Sequence, residues 1–168
     1  PVYSDAYHRY RIHELPEWRV ANRGHNAHAT LPAQHMISLY NSAGMPHKAQ
    51  WGPRGVMDRL YSAKPDGYCG DEDNGQTSAW YVFSAMGFYP VCPASDEYQL
   101  GSPLFRRVTI HLENGETVEI DAPNNSPDNR YVGRMLYNGK PYDRTVLTDS
   151  ELQKGAVIEF DMQPEPKR

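Results

Sequence analysis

The apolar residues of this 168-residue chain change their spacing once, near residue 95, and this change limits the possible folds more than any other feature. Three helix-like segments precede the change, at 33–44, 48–63 and 75–87, and each is followed by Gly or Pro, the residues that commonly end helices. After the change, apolar and polar residues alternate, as they do on a strand with one buried face. The sequence therefore predicts a helical block joined to a β block.

Two Asn-Gly pairs organise the β half, at Asn114-Gly115 and Asn138-Gly139. Asn-Gly between alternating segments is the strongest short signal for a β-hairpin. A threonine cap followed by a short polar segment and a glycine also predicts one or two helical turns before the last strand. The predicted strands are 108–112, 117–121, 131–137 and 156–162, and the predicted short helix is 148–155. We expect an α+β fold whose second half is an antiparallel β-sandwich or part of one.

Charge and hydropathy exclude two classes of partner. The chain has 17 Lys+Arg against 21 Asp+Glu, a formal charge of −4, and its basic residues are dispersed along the sequence. Nucleic-acid binding requires a basic stripe, so nucleic acid is not an expected partner. No apolar run approaches the ~20 residues that span a bilayer, so we expect no membrane association through this chain.

An acidic, turn-rich loop at 65–76 runs directly into the third predicted helix and carries Asp71, Glu72 and Asp73 in succession. Helix capping explains one acid, but three adjacent carboxylates repel one another unless a cation or polar ligand compensates. A calcium EF-hand is excluded because its sixth and twelfth positions would be Gln76 and Val82 instead of Gly and Glu. Capping alone and a carboxylate site that activates water both remain open.

Paired carboxylates of this kind suit glycoside hydrolysis. An inverting glycosidase needs a base and a separate acid whose carboxyl groups lie about 6.5–9.5 Å apart. Asp71 and Asp73 lie on one loop and are able to share the activation of a water molecule. The proton donor on the other side of the sugar must then come from another segment.

The segment 70–90, which reads GDEDNGQTSAWYVFSAMGFYP, closely resembles the signature of the glycoside hydrolase family 92 α-mannosidases. The resemblance covers about residues 30–162 and includes the segments 39–44, 100–105 and 138–142. It implies an inverting, exo-acting α-mannosidase that uses calcium to hold and distort the terminal mannose of a glycan. Calcium suits this chemistry because it accepts sugar hydroxyls and waters among its oxygen ligands.

The resemblance also implies a domain organisation. Family members pair an N-terminal β-sandwich with a large (α/α) barrel, and a β segment follows at the C-terminal end. Residues 1–94 would be the helical part of a truncated (α/α) six-barrel, and residues 95–168 the C-terminal β-sandwich segment. We therefore expect this chain to be a portion of a longer protein, whose remainder is its partner. Family habit places such proteins in the periplasm, at the cell surface or in secretions.

By position in the family motif, Asp73 is the expected catalytic base and Asp71 its partner in binding the attacking water. The predicted substrate-binding residues are Gln76, Thr77 and His35. The expected calcium environment lies near Thr30 and Gln34. Here the sequence departs from the family, because Thr30 and Leu31 stand where relatives have Asn and Glu.

The general acid is the missing component. The family's acid is a glutamate in a motif well upstream of the base loop, and nothing in residues 1–64 resembles that motif. Glu14 and Glu17 are the only glutamates before the base loop. The alternative hypothesis is therefore a non-catalytic carbohydrate-binding or structural module.

Other side chains have simpler interpretations. His25 and His28 form an HxxH pair without a neighbouring Glu or Cys at ligand spacing, so we expect solvated loop histidines. Phe83 is expected in the core, and the sequence leaves Trp80 open between core and sugar stacking.

Overall fold

The computed structural model describes residues 28–167, and in this part of the chain three α-helices accompany eight β-strands. The helices are α1 Pro46–Leu60, α2 Gln76–Met86 and α3 Asp149–Leu152. The strands are β1 Phe88–Tyr89, β2 Glu97–Leu100, β3 Arg107–His111, β4 Thr117–Asp121, β5 Tyr131–Tyr137, β6 Lys140–Pro141, β7 Val146–Thr148 and β8 Ala156–Gln163. The predicted mixed α+β class is confirmed. Each helix among these residues is too short or too polar to cross a bilayer.

The first predicted helix, at 33–44, is wrong. The segment forms two 3₁₀ turns, Leu31–Ala33 and Ser38–Tyr40, connected by further turns. Most of its backbone bonds join residues three apart, as in the 3.1 Å bond from the Met36 amide to the Ala33 carbonyl. The 3₁₀ conformation accompanies close packing of Ile37 against Gly52 of α1. A Cβ added at Gly52 would lie 2.3 Å from the Ile37 Cγ2. Tertiary contact therefore overrides regular helix formation here.

The second and third predicted helices are confirmed with shifted ends. Helix α1 begins two residues earlier than predicted because Pro46 occupies a first-turn position, where a missing amide hydrogen costs nothing. It ends at Leu60, after which Tyr61 is extended with φ −123° and ψ 146°. Helix α2 ends at Met86, one residue before the predicted end, and Gly87 caps it with a φ of 101°, the left-handed conformation that glycine adopts at helix ends.

Both predicted hairpins are present in a five-stranded sheet of order β3-β4-β8-β5-β6. Asn138 and Gly139 have φ values of 49° and 74°, and two positive values suit the tight turn between β5 and β6. The expectation of an entirely antiparallel sheet is wrong, because β4 and β8 pair in parallel. Parallel neighbours need a long crossover, and here the connection carries β5, β6, β7 and α3 before β8 enters between β4 and β5.

A second, three-stranded sheet has the order β1-β2-β7. Strand β1 directly follows α2 and pairs with β2, so that Phe88 lies opposite Leu100. Both residues belong to the apolar core that also contains Ile120 and Ile158 of the larger sheet. Strand β1 lies before residue 95 and β2 after it, so this sheet contains strands from both predicted segments. The division into domains at 1–94 and 95–168 stays a prediction.

The short helix predicted within 148–155 is confirmed as α3. The Thr148 hydroxyl accepts from the Glu151 amide at 3.2 Å, and the Glu151 carboxylate accepts from the Thr148 amide at 2.8 Å. This reciprocal pair is a capping box, which satisfies amides that a helix start leaves without partners.

A buried arginine joins α1 to the β half. Arg54 is 3% exposed, and its Nη1 donates to the Pro103 carbonyl at 2.6 Å and to Asn125 Oδ1 at 2.8 Å. It also approaches the Ser102 hydroxyl at 3.4 Å, while Nη2 donates to the Ser126 carbonyl at 3.3 Å. Burial lowers the pKa of this guanidinium, and the nearby Arg130 lowers it further. Neutral acceptors from the connection after β2 and the loop after β4 thus surround one buried charge.

Replacing Arg54 with methionine should destabilise the fold by about 3 kcal/mol, because the buried acceptors at Pro103 and Asn125 lose their donor. The measurement is the urea unfolding midpoint. Arg107→Met is the matched control, since Arg107 pairs with Asp121 at the surface, and its midpoint should not move. Equal midpoints for the two variants would contradict the linking role of Arg54.

Candidate active site

The acidic loop reaches α2 through three successive left-handed residues. Asp73, Asn74 and Gly75 have φ values of 56°, 59° and 95°. Left-handed conformations are costly for residues with a Cβ, and Asp and Asn tolerate them best. The turn places Asp71 and Asp73 on either side of Glu72 at the beginning of α2.

Glu72 is the acid that caps the helix. Its carboxylate accepts from the Gly75 amide at 2.6 Å, the Ser78 amide at 3.2 Å and the Ser78 hydroxyl at 2.7 Å. The Ser78 hydroxyl also lies 2.8 Å from the Tyr68 hydroxyl. The bonds from Ser78 and Gly75 lower the pKa of Glu72, so this carboxylate is ionised at neutral pH. The sequence showed that capping explains one of the three acids, and the structure identifies it.

Asp71 and Asp73 have a different environment. Both side chains are exposed. Within residues 28–167 neither carboxylate takes part in a hydrogen bond or an ion pair. Their side chains face solvent on a loop that the Glu72 carboxylate ties to the Gly75 and Ser78 amides.

Thr77 and Gln34 form a buried contact beneath the loop. The Thr77 hydroxyl donates to the Asp71 carbonyl at 3.2 Å and accepts from Gln34 Nε2 at 3.1 Å. Gln34 Oε1 accepts from Gln76 Nε2 at 3.3 Å, and the Gln34 carbonyl accepts from the Trp80 indole at 3.1 Å. Thr77 is 1% exposed and Gln34 is fully buried. A sugar contact by Thr77, as predicted, would require its hydroxyl to exchange partners.

His35 and Gln76, two of the predicted substrate-binding residues, line one cavity of about 480 Å³. Its walls also include Leu31, Phe83 and Tyr89. The structure therefore brings together two of the three residues and places the third, Thr77, in the buried layer behind Gln76. Binding of substrate by these residues stays a prediction.

The expectation that His28 is a solvated loop histidine is wrong. His28 is fully buried, its Nε2 lies 2.7 Å from the Tyr61 hydroxyl, and its ring meets Trp80 edge-on at 4.1 Å between centroids. Burial lowers the pKa of His28 to about 4. Trp80, which the sequence left open, is 1% exposed and belongs to this aromatic core. His25 lies outside the described residues.

Residues 28–167 contain no group of three or more His, Cys, Asp or Glu side chains that would hold a metal ion. Calcium takes six to eight oxygen ligands, whereas Gln34 Oε1 is already occupied by Gln76. The calcium environment predicted near Thr30 and Gln34 stays a prediction. The candidate acids Glu14 and Glu17 lie outside the described residues.

Sequence reasoning missed the roles of Gln34 and Ser78 in holding the loop. A polar residue three positions into a helix, such as Ser78, is a common partner of a capping group, so its contact with Glu72 had a weak local signal. Gln34 had none, because its partner Thr77 is 43 residues away in the sequence.

Comparisons with known proteins agree with one another. The model of the glycosyl hydrolase family 92 catalytic domain matches residues 5–164. A family 92 α-mannosidase from Bacteroides thetaiotaomicron is 40% identical with a TM-score of 0.83 over 86% of this chain and 19% of its own. A family 92 inverting mannosidase from the same organism is 47% identical with a TM-score of 0.82, over 99% of this chain and 23% of its own.

A curated relative from Arthroderma benhamiae, described as an uncharacterized secreted glycosidase, is 27% identical over 74% of this chain and 16% of its own length. The family model and these relatives thus place the chain in a family of glycosidases. More narrowly, the chain belongs to glycoside hydrolase family 92. It spans about a fifth of the length of the solved structures it matches.

The burial of His28 makes stability depend on pH. Its folded pKa of about 4 lies below its ordinary value of 6.5, so the unfolded state binds the proton more strongly. The stability that this group contributes is complete above pH 6.5 and is lost as the pH falls toward 4. Between about pH 7 and about pH 4.5 the loss should be about 2–3 kcal/mol.

Urea unfolding of the wild type and of His28→Phe at these two pH values measures the effect. The phenylalanine keeps the ring contact with Trp80 but does not titrate, so the variant should lose less stability on acidification. An equal loss in both proteins would show that other groups control the acid sensitivity.

Proposed function

We propose that this chain is the catalytic-base portion of a larger inverting exo-α-mannosidase, which removes terminal α-linked mannose from glycans. The observation that carries the proposal is the pair of exposed carboxylates, Asp71 and Asp73, on a loop whose third acid is used as a helix cap. Membership of family 92 and the inverting mannosidase among the relatives support it.

In this mechanism Asp73 is the base and Asp71 helps to hold the water. Asp73 takes a proton as the water oxygen bonds to the anomeric carbon of mannose, and the bond from that carbon to the leaving oxygen breaks. A separate acid protonates the leaving oxygen from the opposite side, so the configuration inverts. Glu72 is unsuited to be that acid because its carboxylate is ionised and bonded to Gly75 and Ser78.

The sugar would lie beside the cavity that His35 and Gln76 share. An imidazole and an amide are able to donate and accept hydrogen bonds with hydroxyl groups. Leu31 lines the same cavity and presents an apolar surface. We propose that His35 and Gln76 contact the substrate there.

The remainder of the longer protein would supply the general acid, the N-terminal β-sandwich and the rest of the (α/α) barrel. Residues 1–94 would complete that barrel, and 95–168 would form the C-terminal β-sandwich segment. Calcium, when bound, would hold the mannose hydroxyls, and most of its ligands would come from outside residues 28–167. The fungal relative is described as secreted, which supports action in the periplasm, at the cell surface or in secretions.

The test is release of mannose from an aryl α-mannoside, by this chain and by the longer protein that carries it, with calcium and with chelator. Asp73→Asn should lower the rate about 10²- to 10⁴-fold, because it removes a general base. Asparagine tolerates the left-handed backbone at this position, so the loop should keep its shape. Chelation should also reduce turnover.

Asp66→Asn is the matched control, an exposed aspartate of the same loop with no proposed role. Its rate should equal that of the wild type. Turnover by this chain alone would place the acid within its 168 residues and make Glu14 and Glu17 the next targets. A longer protein that binds mannosides without cleaving them would favour the non-catalytic module instead.

A further inference from the structure

We propose that Thr77 and Gln34 are positioning residues that hold the Asp71–Asp73 segment in place, and that neither touches the sugar. The proposal rests on the proposed function, in which these two carboxylates activate the water. It gives Thr77 a role other than the predicted substrate binding, and Gln34 a role other than the predicted calcium binding.

The hydroxyl of Thr77 is one of the contacts between α2 and the candidate base loop. It donates to the Asp71 carbonyl at 3.2 Å, while the Thr77 amide donates to the Glu72 carbonyl at 3.2 Å. One residue of α2 therefore binds two successive carbonyls of the loop. Since a carbonyl moves with its own Cα, these bonds restrict where the Asp71 side chain begins.

Gln34 fixes the direction of the Thr77 hydroxyl. A hydroxyl has one hydrogen, and the amide hydrogen that Gln34 Nε2 donates to it at 3.1 Å leaves the Thr77 hydrogen for the Asp71 carbonyl. Gln34 is itself held by Gln76 at Oε1 and by the Trp80 indole at its carbonyl. A fully buried amide with all these bonds has little freedom to rotate.

The loop needs such external support because of its backbone. Asp73 and Asn74 both occupy left-handed conformations that cost energy for residues with side chains. The Glu72 cap holds the side of the turn nearest α2. The hydrogen bonds from Gln34 to the Thr77 hydroxyl and from that hydroxyl to the Asp71 carbonyl hold the other side. Motion of the carboxylate pair is thereby limited from both ends.

Hydrogen exchange on this chain tests the positioning directly and does not require activity. Thr77→Val keeps the side-chain shape but removes the hydroxyl, so the amides at positions 75–77 should exchange about three- to tenfold faster. Thr77→Ser keeps the hydroxyl and should restore most of the protection. Gln34→Met should give a smaller acceleration at the same amides, because the hydroxyl is then free to rotate.

The double variant shows whether Gln34 and Thr77 act through the same hydrogen bond or through two independent contacts. If both residues act through the Thr77 hydroxyl, adding Gln34→Met to Thr77→Val should produce no further acceleration. Additive effects, or unchanged exchange in Thr77→Val, would overturn the proposal. Thermal unfolding of each variant identifies global destabilisation, which would accelerate exchange throughout the sheet instead of at positions 75–77.

Kinetics in the longer protein distinguish positioning from sugar contact. A misplaced base lowers kcat, so Thr77→Val should reduce kcat about 10²-fold and leave KM within about threefold. Thr77→Ser should recover most of kcat. A rise in KM with kcat retained would assign Thr77 to the substrate and overturn the positioning role.

The two proposals can fail separately. If Asp73→Asn retains full turnover while Thr77→Val accelerates exchange, the proposed base is wrong and the loop support stands. If Asp73→Asn is inactive and Thr77→Val changes neither exchange nor kcat, the base assignment stands and the positioning role fails.

Discussion

The burial of the Arg54 guanidinium is the constraint on which the arrangement of the two halves depends. A charge inside a protein is tolerated only when its donors find acceptors, and those of Arg54 lie on chain segments far from α1 in the sequence. The segment around Pro103, which connects β2 to β3, must therefore lie beside α1. Asn125, within the loop after β4, must lie at the same point. All of these acceptors lie in the β half, whereas the arginine itself lies on α1.

The same connection also holds the far end of α2. The Leu104 amide donates to the Ala85 carbonyl at 2.9 Å, and a Cβ on Gly87 would lie 3.1 Å from the Pro103 nitrogen. Helix α2 is thus fixed at its C-terminal end by the β half and at its N-terminal end by Gln34. Because the acidic loop is continuous with α2, the packing between helices and sheets determines where its carboxylates lie.

The three consecutive acids divide their tasks through their backbone geometry. Glu72 turns back onto Gly75 and Ser78 and neutralises part of the helix start, where negative charge is favourable. Asp73, the first of the left-handed residues that follow, has an exposed side chain. Mutual repulsion between carboxylates is reduced because the middle one is bonded to the protein and the outer two remain in solvent.

Local sequence determined the features that depend on neighbouring residues. Asn-Gly at 138–139 set a hairpin because Gly and Asn accept positive φ, and Thr148 with Glu151 began a short helix through bonds three residues apart. The long motif at 70–90 determined the family and the candidate base loop. Tertiary structure alone decided the rest. It replaced the helix expected at 33–44 with 3₁₀ turns, made β8 a parallel neighbour of β4, buried His28 against Trp80, and joined Gln34 to Thr77. Each of these outcomes depends on contacts between residues distant in sequence, whose free energy exceeds the local preferences and leaves no local pattern.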